Sequence, residues 1–91
     1  MPEGFKYTNL TTTGTTVVKS GAGMLHSIAI NTPSTGAGIT VYDNTSAVPP
    51  KIGTLSLTAA GQDTVIYDCA FNTGLTIVII VGGQDITICW L

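Results

Sequence analysis

Charge is what this chain lacks most. Charged residues make up 9% of its 91 positions, where globular proteins carry about 25%. Lys6, Lys19 and Lys51 stand against Glu3, Asp43, Asp63, Asp68 and Asp85, for a formal net charge of −2. Three scattered lysines make no patch that could neutralise phosphates, which argues against nucleic-acid binding. The same scarcity removes polybasic attraction to anionic membranes. The most apolar run, residues 75–81, is far shorter than the roughly 20 residues of a membrane-spanning helix. Residues 1–6 show no charged segment followed by an apolar one, so we expect no signal peptide and synthesis in a reducing cytosol.

Metal and catalytic residue sets are equally scarce. There is one histidine, His26, and the two cysteines, Cys69 and Cys89, form no C-x-x-C pair. That spacing fits no zinc site. We expect free thiols acting as small apolar residues, with a Cys69–Cys89 bridge left open. No nucleophile-elbow motif accompanies a serine. The carboxylates Asp43, Asp63, Asp68 and Asp85 sit at strand ends beside turn residues, where Asp ordinarily shapes turns. Asp43-Asn44-Thr45 resembles a calcium loop weakly, without the carboxylate that would complete it. Gly21-Ala22-Gly23 precedes a strand, not a helix, so it forms no phosphate cradle. We therefore expect no enzyme and no cofactor.

Helical periodicity is absent too; Val, Ile and Thr dominate, in short alternating runs separated by Gly, Pro and Asn. Strands are expected at residues 11–19, 24–31, 39–43, 52–58, 62–71, 75–81 and 84–91. On the second of these, alternation puts His26, Ile28 and Ile30 on one face and Leu25, Ser27 and Ala29 on the other. Gly53 suggests a bulge or a close backbone approach. Gly82-Gly83 between two apolar runs predicts a hairpin pairing residues 75–81 with 84–91. Residues 75–81 are apolar on both sides, which predicts an inner strand, with Ile80 near a subunit contact. Residues 1–9 are expected as an extended arm and residues 10–91 as one domain. The fold class is all-β, a jelly-roll-like β-sandwich of seven or eight short antiparallel strands, with an immunoglobulin-like sandwich as the alternative.

A resemblance adds to this. Residues 21–31 (GAGMLHSIAIN), 38–45 (GITVYDNT), 67–75 (YDCAFNTGL) and Ile86-Thr87-Ile88 resemble strand-and-turn patterns of small virion proteins encoded by tailed bacteriophages. The resemblance spans roughly residues 15–91. It implies a head decoration or cement protein, exterior on the virion, that oligomerises, a trimer being favoured, and binds the major capsid protein. It supplies no catalytic residues. The candidate contact residues are Phe5 and Tyr7 in the arm and Val48, Pro49 and Pro50 in the proline loop. Two other classes compete. One is a tail or fibre component binding a host glycan, with Tyr7, Tyr42, Tyr67 and Trp90 as candidate aromatics, the last three patterned like core. The other is a β interaction module outside the virion.

Overall fold

The structure is a computed structural model that describes residues 4–32, 37–57, 63–80 and 84–91. Eight strands run through them: β1 (Lys6–Leu10), β2 (Gly14–Ser20), β3 (Gly23–Thr32), β4 (Ala37–Tyr42), β5 (Lys51–Leu57), β6 (Asp63–Phe71), β7 (Gly74–Ile79) and β8 (Asp85–Trp90). They form two antiparallel four-stranded sheets, β1-β8-β3-β6 (sheet A) and β2-β7-β4-β5 (sheet B). The order has a simple logic. β1 pairs with β8, β2 with β7, β3 with β6 and β4 with β5. The chain is one long antiparallel hairpin, its first half against its second. Rolling that hairpin up adds the β3–β8 and β4–β7 pairings. This is the jelly roll, and the strand order excludes the immunoglobulin arrangement.

The expected Gly82-Gly83 hairpin is corrected. Those two residues lie outside the described ones, but β7 and β8 belong to different sheets. They meet across the core instead, where Ile77 and Ile79 of β7 join Ile86 and Ile88 of β8 in one cluster. Leu25, Ile28, Ile30, Ile39, Val41, Phe71 and Leu75 complete it. Burying each such side chain contributes about 1.5–3 kcal/mol. The inner position of β7 is as expected. The extended arm is corrected in part, because residues 6–10 form the edge strand β1 on β8. Cross-strand pairing draws this segment into sheet A.

The alternation expected for β3 is corrected as well. Leu25, Ile28 and Ile30 are all buried, so the strict alternation fails between residues 25 and 28. The register explains why. Between the same two inward rows β8 takes two steps (Trp90 to Ile88), β3 three (Leu25 to Ile28) and β6 four (Cys69 to Val65). The sheet fans out across this stretch, and Asp68 in the widened part has φ +47°. His26 is thereby turned off the Ile28–Ile30 face, and it pairs with Asp68.

Gly53 combines both expectations. The β4–β5 register slips beside it, between Val41 and Tyr42. A Cβ there would stand 2.7 Å from the Tyr67 hydroxyl oxygen, so sheets A and B touch closely at that edge. Cys69 packs against the core from β6, opposite Leu25, while Cys89 of β8 lies opposite Ser27. With β3 between them the cysteines are about 9–10 Å apart, beyond bridging distance.

Candidate interaction surfaces

Among the described residues, two broad faces and one loop carry the large exposed apolar side chains. On the outer face of sheet B, Thr15, Val78, Thr40 and Thr54 make a row across all four strands. Val17, Thr76, Tyr42 and Lys51 make the next. Val17 is 46% exposed, and Ile80, just past β7, is 63% exposed. Ile80 lies over Gly38, where an added Cβ would come 3.3 Å from Ile80 Cδ1. Lys51, at a corner, is the sole charge on these rows.

The loop of residues 43–50 closes on itself and on the β6–β7 turn. Asp43 N donates to Pro50 O (2.8 Å), and Asn44 Nδ2 donates to Pro49 O (3.0 Å). The Asp43 carboxylate accepts from the backbone N–H of Thr73 (2.8 Å) and of Asn72 (2.9 Å). These bonds, Thr73 first, hold its carboxyl below the usual carboxylate range. Both its oxygens are engaged, so Asp43 is a loop anchor rather than half of a calcium site. Thr76 is buried beneath the loop and donates to Asn44 O (2.6 Å). Val48, 46% exposed, is displayed with the exposed Pro49 and Pro50, whose peptide bond is cis.

Phe5 and Tyr7 lie elsewhere, on the outer face of sheet A. Phe5 stacks on the His26 ring at 4.4 Å, and His26 Nδ1 is bonded to Asp68. One row down the sheet come Tyr7, Cys89, Ser27 and Ile66. Tyr7 is 75% exposed and Ile66 59%. The five contact residues expected from sequence therefore divide into two surfaces, Phe5 with Tyr7 and Val48 with Pro49 and Pro50. Of the other aromatics, Tyr67 and Trp90 pack against the core. Trp90 Nε1 donates to Thr8 Oγ1 (3.1 Å), and Lys6 and Lys19 each approach its ring.

Sequence reasoning missed a polar cluster at one end of this face, where β8 begins and β1 and β3 finish. Asn9 Nδ2 donates to Asp85 Oδ1 (2.6 Å), to Ile86 O (2.9 Å) and to Thr87 Oγ1 (3.2 Å). From the other side Asn31 Nδ2 donates to Thr87 Oγ1 (3.0 Å) and Asp85 Oδ1 (3.2 Å). Alternation puts Asp85 and Thr87 on one face, but only the order β1-β8-β3 brings the two asparagines to them. Among the described residues no group of three or more His, Cys, Asp or Glu could hold a metal ion.

Comparison with protein-family models, curated proteins and solved structures finds no match. Strand order and surface chemistry alone bear on function.

Proposed function

We propose that this is a structural virion protein of a tailed bacteriophage, a head decoration or cement protein that oligomerises and binds the outside of the major capsid shell. The observation that carries this reading is the nearly uncharged outer face of sheet B, with Val17 and Ile80 standing out from threonine rows. Such a face has little protection against association, which suits a surface meant to be covered. The molecule measures 34 × 33 × 17 Å, so one broad face offers on the order of 1,000 Å². A stable interface needs about 800 Å² per partner.

In this reading the sheet B face makes the contact between copies, and the proline loop makes the contact with the shell. The loop is pinned at Asp43, so displaying Val48 costs little ordering entropy on binding. The partners in this reading are the major capsid protein and the chain itself, with no nucleic acid, no membrane and no small molecule turned over as a substrate. Light scattering followed by co-sedimentation with heads lacking the protein tests it. A trimer of about 28 kDa, three times the 9.4 kDa chain, should pellet with heads. Ile80→Asp together with Val17→Asp should return the mass to the monomer, while Val48→Asp should keep the oligomer and lose head occupancy. A wild-type monomer that stays in the supernatant would sink the reading and favour a module outside the virion.

A further inference from the structure

We propose that the outer face of sheet A is a binding site for a neutral sugar, centred on Asn9, Asp85, Thr87 and Asn31 with Tyr7 as its stacking platform. The amide hydrogens of Asn9 and Asn31 are already used on Asp85, Thr87 and Ile86. Among the described residues, Asp85 Oδ2 and the two asparagine Oδ1 atoms have no donor, and the Thr87 hydroxyl has only accepted. Apart from the Thr87 O–H, which still has its proton to give, the cluster is an array of held acceptors, and a matching ligand brings mainly donors.

The surroundings narrow the donor class. A calcium ion wants six to eight oxygens, commonly with several carboxylates; here there is one carboxylate. Tyr7 stands one residue pair along β1 from Asn9, about 7 Å away, and is 75% exposed. Phe5, a further pair along, is fixed against His26. A ligand spanning aromatic and acceptors needs an apolar face beside a ring of hydroxyls, which is what a pyranose offers. Its C–H face covers Tyr7 and its hydroxyls donate to Asp85 and the asparagines.

A second copy of the chain fits this face less well. It would use Tyr7 and Ile66 but would bury the Asp85 carboxylate, and a two-fold contact would enclose two of them. None of the three lysines makes a hydrogen bond or ion pair with Asp85 among the described residues. The rows on the face of sheet B carry no carboxylate, and their one charge, Lys51, sits at a corner. The two faces thus divide the work, and the sugar site does not rest on the capsid reading. Sugar binding without head binding, or the reverse, separates the two.

The test is a titration of the ¹⁵N-labelled full chain with D-glucose, D-galactose, L-rhamnose and N-acetyl-D-glucosamine, followed by amide shifts. At least one should move Tyr7, Asn9, Asn31, Asp85 and Thr87 together, with a dissociation constant on the order of 1 mM. Tyr7→Ala, at an exposed position, should weaken it about tenfold while leaving the remaining spectrum in place. Asp85→Asn should weaken it as well. No response to any of the four sugars overturns the proposal. So does a response confined to sheet B, or one unchanged by Tyr7→Ala. The same amides moving with calcium alone, or with protein concentration alone, also overturn it in favour of a cation site or self-association.

Discussion

Replacing Gly23 by alanine probes the closure of the roll. Gly23 opens β3, directly beside the end of β8. A Cβ there would overlap the Leu91 carbonyl oxygen and sit 2.6 Å from Phe71 Cζ. Neither neighbour yields easily. Leu91 is held by Met24 N donating to Leu91 O (3.0 Å) and Leu91 N donating to Met24 O (2.8 Å). Phe71 is 1% exposed and part of the core cluster. Forcing a methyl into a packed site costs about 1–3 kcal/mol, and losing one of the two hydrogen bonds adds about 1 kcal/mol. The expected loss is therefore about 2–4 kcal/mol, from a total of about 5–14 kcal/mol for a domain this long. In Tm that is a fall on the order of 10–20 °C. Two controls bracket it. Gly4→Ala meets open space and should stay within about 0.5 kcal/mol of wild type. Gly21→Ala also meets nothing, but its φ of +98° should cost about 1 kcal/mol or more. Urea unfolding by far-UV circular dichroism, at one protein concentration so that association is held fixed, ranks the three. Gly23→Ala as stable as Gly4→Ala would refute the close packing of β3 against the end of β8.

Three further outcomes follow from the site geometry. Asp43 is held ionised by backbone N–H groups, so its folded pKa lies below its unfolded value of about 3.9. Its stabilisation is present above that value and fades as pH falls through the folded pKa. Stability should thus drop on acidification below about pH 4, with a flatter acid limb for Asp43→Asn; identical limbs in an acid titration of unfolding would remove Asp43 as the loop anchor. Cys69 and Cys89 should form no bridge within a chain under mild oxidation, since β3 separates them. Burial pushes the Cys69 thiol up, so it should also alkylate slowly at neutral pH. A Cys69–Cys89 peptide in a non-reducing digest would contradict the order β6-β3-β8.

Composition and alternation by themselves determined the all-β class, the approximate position of most strands and the inner place of β7. A period of two reports which face of a strand is buried, and β-branched residues report that it is a strand. Neither reports which neighbour supplies the hydrogen bonds. That is why the Gly82-Gly83 hairpin was a sound expectation and still failed. Ile77 and Ile79 find the same apolar company in Ile86 and Ile88 across the core as they would beside them in one sheet. The edge strand β1 was hidden for a related reason, since Phe5, Tyr7 and Asn9 face outward and Thr8 and Leu10 are only partly buried. Their place depends on pairing with β8.

Tertiary structure alone decided how the outer face of sheet A is assembled. The widening from β8 through β3 to β6 turned His26 toward Asp68 and Phe5. The β1-β8-β3 order gathered Asn9, Asp85, Thr87 and Asn31 from three separated segments. Local sequence carries the chemistry of each of these side chains. Which of them meet is set by long-range strand pairing, because residues more than fifty positions apart become neighbours only when the roll closes.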